Sequence, residues 1–119
     1  MHIQRLDPSD GRAVRRFIQF PFRLYQGEPR WVPPFVAEVR ATLDAQHHPF
    51  YQHSQAAFFM ALERDEVLGR IAVLDNRRYN ERNGSHTGFF YHFDAVNDGA
   101  VAGALFDAAA DWARRHGLD

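Results

Sequence analysis

With 119 residues, 45% of them hydrophobic and 14% aromatic, the chain has the length of one domain (1–119) and enough apolar side chain for a real core, which excludes disorder. The formal charge of −1 excludes a general nucleic-acid footprint, and all 14 basic residues are arginine. There is no cysteine, so disulfides, thiolate nucleophiles and cysteine-ligated metals are excluded as well. MHIQRLDPSD at the amino terminus has no apolar signal core, and no apolar run approaches the length of a membrane span. The expectation is a cytoplasmic globular domain with neither a membrane nor a nucleic-acid partner, in which the glycosylation tripeptide Asn83-Gly84-Ser85 has no use.

In chain order, His2 to Leu6 alternates apolar and polar residues and predicts a short strand. Asp7-Pro8-Ser9-Asp10 reads as a turn into a helix with Ser9 or Asp10 as N-cap. Ala13, Val14, Phe17 and Ile18 give that helix one apolar stripe. Pro21 has no N–H and is expected to end or kink it. LYQGEPRWVPPF, residues 24–35, is then an extended connector set by Pro29, Pro33 and Pro34. Phe35, Val36, Val39 and Leu43 predict a second helix from about Pro34 to Ala45, with Pro33 or Pro34 in its first turn.

His47 to Gln55 reads as a loop. Ala56 to Leu62 is a predicted strand with Phe58, Met60 and Leu62 on one face and Ala57, Phe59 and Ala61 on the other. Glu63-Arg64-Asp65-Glu66 is its hairpin turn, and Val67 to Leu74 returns, apolar on both faces except for Arg70. That pattern predicts an interior strand covered on both sides. Asp75 to His86 reads as a polar loop. Thr87 to Ala95 is the last predicted strand, with Phe89, Tyr91 and Phe93 on one face and Phe90 and His92 on the other. Gly99 to His116 is helical, with Asp98 as N-cap, Gly117 as C-cap and Val101, Leu105, Ala108, Ala109 and Trp112 as the apolar stripe. Asp119 falls where a further strand is expected.

The order β-α-α-β-β-β-α, with the words FPFRLYQGEPRWVPPF (20–35), HPFYQH (48–53), GRIAVLDNRRYN (69–80), TGFFYHFDAVND (87–98) and WARRHGLD (112–119), resembles the GNAT superfamily of acyl-CoA-dependent N-acyltransferases. More narrowly it resembles the N-terminal part of a longer bacterial GNAT-like family. The resemblance implies an α/β fold with a mixed sheet flanked by helices, here lacking the C-terminal strands. It implies acetyl-CoA or another acyl-CoA as co-substrate and an amine or peptide as acceptor. Pantetheine would run beside His92, Phe93, Asp94 and Ala95. Pyrophosphate would rest on the amides of Asn97, Asp98, Gly99, Ala100, Val101 and Ala102, at the start of the following helix. In that loop Asn97 stands where the superfamily has Gln or Arg, and Ala100 where it has its first glycine. A GNAT-like domain that has lost acyl-CoA and serves as a scaffold or interaction module, or a fragment of a longer protein, is the alternative. Without further strands, the Thr87–Ala95 edge is exposed and open to homodimer formation.

An N-acyltransferase needs a base for the incoming amine and a donor for the oxyanion. Asp94 at the end of the last strand is the candidate base, with His92 and Tyr91 beside it on opposite faces of the strand; the alternatives are a strand cap and a packed aromatic strand. In the proline-set connector, Trp31 and Phe35 are expected to dock on the sheet, leaving Tyr25 or Arg30 facing the acceptor groove, with Trp31 either part of that groove or a hydrophobic pin. His47, His48 and His53 fit no metal-ligand spacing, and no metal is expected. Arg77, Arg78 and Arg82 form a basic cluster that suits an acidic substrate, the 3′-phosphate of CoA, or simply a solvated loop.

Overall fold

The computed structural model describes residues 1–119. Four antiparallel strands form one sheet in sequence order: β1 (His2–Arg5), β2 (Gln55–Glu63), β3 (Glu66–Asp75) and β4 (Phe89–Ala95). Helices α1 (Gly11–Leu24) and α2 (Val36–Thr42) cover one face, and α4 (Gly99–Arg115) covers the other. The alternation expected in β2 sorts its side chains between two cores. Phe58, Met60 and Leu62 join Phe17, Ile18, Val39 and Leu43 on the α1–α2 side. Ala57, Phe59 and Ala61 join Val101, Leu105, Ala109 and Trp112 on the α4 side. β3 therefore has a layer on both faces, as its doubly apolar sequence predicts.

Local chemistry sets the ends of the elements. Asp10 caps α1, its carboxylate accepting from the N–H groups of Arg12 and Ala13. The β2–β3 hairpin turns at Arg64 and Asp65, with Arg64 at φ 55°. Gly117, at φ 73°, follows α4 in the left-handed conformation that ends helices, and the Leu118 N–H returns to the Ala113 carbonyl. Beyond it, Asp119 donates to the His86 carbonyl and accepts from the Gly88 N–H. This is the hydrogen-bond pattern of one parallel bridge opposite Thr87.

Four expectations are corrected. Pro21 does not end α1, which continues through it to Leu24. α2 is shorter than 34–45: Phe35 takes the N-cap position, so Pro33 and Pro34 precede the helix instead of opening it. Residues 75–86 are not a loop throughout, because α3 spans Arg77–Asn83. There the Asn76 side chain caps the Tyr79 N–H, and Gly84 at φ 58° closes the helix, two local signals that outweigh the polar composition. Within 47–55, Pro49–Gln52 winds one 3₁₀ turn and Gln55 already belongs to β2.

β3 meets α4 closely at Gly69. A Cβ there would lie 2.7 Å from Leu105 Cδ1 and 3.1 Å from the Asp94 carbonyl oxygen, whereas one at Gly99 would meet nothing. Gly69→Ala is expected to cost about 1–3 kcal/mol by overpacking. Gly99→Ala is its control, and urea melts of the pair check the difference.

Candidate functional site

The site begins with a helix that should not continue. In an unbroken α-helix the N–H of residue 21 would bond to the carbonyl of residue 17. Pro21 has no N–H. Instead, Arg70 reaches up from β3 and donates its Nη1 to the Phe17 carbonyl at 2.9 Å. Its guanidinium carbon also lies 5.0 Å from the centre of the Phe17 ring. Arg70, the one charged side chain between Val67 and Leu74 of the doubly covered strand, supplies a donor where proline removes one, and α1 runs on by another turn to present Tyr25.

Arg70 is 4% exposed, and its remaining donors meet Asp94, its register partner on β4. Nε donates to Asp94 Oδ2 at 3.0 Å, and Nη2 lies 2.9 Å from the same oxygen as an ion pair. Burial lowers the pKa of the guanidinium, and the Asp94 charge and hydrogen bond oppose that shift. The other carboxylate oxygen, Oδ1, accepts from the Tyr25 hydroxyl at 2.7 Å. That hydrogen bond, followed by burial, raises the Tyr25 pKa, so the phenol stays protonated with its hydrogen on Asp94. A phenol oxygen donating in this way keeps its lone pairs for another donor. Trp31 stacks on Tyr25 with ring centres 5.4 Å apart and meets Phe22 edge-on at 5.1 Å.

The second irregularity is in β4. Its pairing with β3 passes from Ala72↔Tyr91 to Arg70↔Asp94, so His92 and Phe93 together oppose Ile71. This is a β-bulge, and His92 adopts φ 52° in it. The bulge reverses the side-chain alternation. Tyr91 and His92 both lie toward α1, while Phe90 and Phe93 pack on Phe106 of α4. The expected faces, Phe89, Tyr91 and Phe93 against Phe90 and His92, are corrected accordingly. Beyond the bulge, Asp94 points to the α1 side, where Tyr25 and Arg70 meet it.

The His92 ring sits edge-on to Phe17 at 6.2 Å, and its Nε2 is buried without a partner. Burial first, and then the Arg70 charge, push its pKa down to about 4, with Asp94 opposing. The unfolded imidazole titrates near 6.5, so between about 6.5 and 4 the unfolded chain binds the extra proton. Stability contributed by neutral His92 is therefore complete above that window and is lost as pH falls through it. His92→Asn, which tolerates positive φ, is expected to flatten the slope of melting temperature against pH between those limits relative to the wild type. Burial also raises the Tyr91 phenol.

The structure thus brings Tyr25, Trp31, Tyr91, His92 and Asp94 to one side of the sheet. Arg30, next to Trp31, is exposed, its backbone N–H bonded to the Glu28 carboxylate. Phe35 does not dock on the sheet, being 76% exposed, and Trp31 packs on α1 residues.

Phe93 and Ala95 pack toward α4. At the start of α4, the Asp98 carboxylate accepts from the Ala100 N–H at 2.9 Å, and its carbonyl accepts from Val101 and Ala102. Those three amides are satisfied within the helix, and a carboxylate sits among them. A pyrophosphate therefore does not fit this turn unless Asp98 withdraws. Asn97 and Gly99 are exposed beside it.

Sequence reading overlooked Arg70 as a site residue. A charge alone on a strand apolar on both faces must be paired if buried, and a proline four residues after Phe17 leaves a carbonyl in want of a donor. His47 bonds Asp44, His48 accepts from the Phe50 N–H and His53 meets Ser54. No three His, Asp or Glu side chains gather as a metal-ligand set.

No family model matches the chain, and no solved structure does. Two bacterial proteins are similar to it. Protein YghO of Escherichia coli (strain K12) is 35% identical over 104 residues, which are 87% of this chain and 26% of that protein. The bacterial ceramide synthase of Caulobacter vibrioides (strain NA1000 / CB15N) is 34% identical over 105 residues, 87% of this chain and 27% of the synthase. The chain spans about a quarter of the length of the curated relatives it matches, as a mixed α/β domain with an antiparallel sheet between helices.

Proposed function

We propose that this chain carries the acceptor side of an acyl-CoA-dependent N-acyltransferase of GNAT-like fold, and that its acceptor is a long-chain amine. The observation behind this reading is the Arg70–Asp94–Tyr25 relay: a buried cation fixes a carboxylate, which in turn holds the proton of a half-buried phenol. An amine attacking a thioester must lose a proton as the C–N bond forms and the C–S bond breaks. Tyr25 Oη receives that proton from nitrogen while its own proton passes to Asp94, and Arg70 steadies the carboxylate before the transfer. His92, neutral at pH 7, keeps the α1 side of β4 free of a second cation. The similarity to a ceramide synthase supports the same reaction class, since a ceramide is the amide of a fatty acid with a long-chain amino alcohol.

A second reading, a GNAT-like scaffold that does not take acyl-CoA, has one observation in its favour: the satisfied amides of the first turn of α4. Thermal melts with excess acetyl-CoA separate the two, because a ligand that binds only the native state raises the midpoint. The enzyme reading expects a shift, and a larger one for Asp98→Asn, which keeps a cap and removes the negative charge. An unchanged midpoint in both proteins supports the scaffold.

A further inference from the structure

We propose that the outer surface of the α1–α2 layer docks on an anionic lipid bilayer, with residues 32–36 as its apolar contact. The charge of the chain is unevenly divided. Residues 11–43 carry six arginines against two glutamates, while the remainder carries eight arginines against thirteen carboxylates. Arg12, Arg15, Arg16 and Arg23 share the side of α1 opposite its buried stripe, and the helix contains no acid. Helix α2 lies in the same layer, since its Val39 and the Leu43 that caps its end belong to the core that α1 covers.

Between the two helices runs a strap that is apolar where polar residues would be expected. Val32 is 82% exposed, Phe35 76% and Val36 39%. A single exposed apolar residue needs no explanation, but three within five positions make a patch. Pro29, Pro33 and Pro34 fix its backbone, so little freedom remains to be lost on contact. Apolar side chains that insert at the headgroup level, beside cations that meet anionic lipid, are the chemistry of a peripheral membrane surface. Nucleic acid would use the cations and leave Val32 and Phe35 without purpose. No helix is long and apolar enough to cross a membrane, so the contact is peripheral, where the sequence reading expected no membrane partner.

Position joins the strap to the site. Trp31, next to Val32, stacks on Tyr25. Resting on the reading of Tyr25 as the receiver of an amine proton, the strap forms the lip over which a bilayer-dissolved amine reaches it.

Vesicle flotation tests the docking without any turnover. The wild-type protein is expected to float with vesicles of equal parts phosphatidylglycerol and phosphatidylcholine, with a blue shift of Trp31 emission, and to stay behind with pure phosphatidylcholine. Val32→Asp/Phe35→Asp is expected to lower the bound fraction about tenfold, and Arg12→Glu/Arg15→Glu to do so at low salt. These positions are exposed, and circular-dichroism melts check that the variants fold. No flotation of the wild type, equal flotation of wild type and the Val32/Phe35 variant, or retention on single-stranded nucleic acid in place of vesicles overturns the proposal. A protein that floats but transfers no acyl group keeps the docking and refutes the proposed activity; one that transfers to a soluble amine but does not float does the reverse.

Discussion

Arg70→Ala is expected to destabilise the protein by about 3–5 kcal/mol, the range for removing one partner of a buried ion pair. Two groups lose their donor together. Asp94 becomes a largely buried carboxylate without its cation, and the Phe17 carbonyl, already deprived of the N–H of residue 21, loses the guanidinium donor as well. The second loss can be isolated. In a Pro21→Ala background, residue 21 regains an N–H and can close the helical bond to Phe17, so Arg70→Ala should cost less there. Urea denaturation of the four proteins forms a double-mutant cycle, and a coupling energy of the expected sign identifies the guanidinium as the substitute for the missing backbone donor. Equal costs in the two backgrounds would reduce Arg70 to a partner of Asp94 alone.

Tyr25→Phe is expected to lower kcat/KM for acyl transfer by about 10²–10⁴-fold, the usual span for a positioned acid–base group. The ring, its stacking on Trp31 and the packing against Phe22 are kept, and only the hydroxyl goes. Asp94 retains its hydrogen bond and ion pair with Arg70, so folding should survive. Asp94→Asn should fall into the same range, because the amide cannot take the proton, and the two substitutions together should cost little more than either alone. A kcat/KM within a factor of two or so of wild type for Tyr25→Phe would assign the hydroxyl a structural role.

Much of the scaffold was legible because its signals are local or periodic. The alternation of Phe58, Met60 and Leu62 against Ala57, Phe59 and Ala61 maps onto the two cores, and Asp10 caps where the turn suggested. Asp94 and Tyr25 could be named separately from residue type and position. Their meeting could not, because it depends on two irregularities with no periodic signature. One is the passage of α1 through Pro21, which requires a donor 53 residues away in sequence. The other is the bulge at His92, which turns Asp94 to the α1 side. Arg70 links both, and in sequence it is visible only as a charge in the wrong place. The α3 helix was missed for the opposite reason: its caps, Asn76 and Gly84, are plain, but its composition is that of a loop.

The most direct measurement is the release of free CoA thiol from an acyl-CoA, with and without a long-chain primary amine, by the wild type and Tyr25→Phe. Thiol release that depends on the amine, forms the amide in equal amount and collapses in Tyr25→Phe is the predicted result. No amine-dependent release from a folded wild-type protein, or release that Tyr25→Phe leaves intact, would contradict the relay and the transferase it implies.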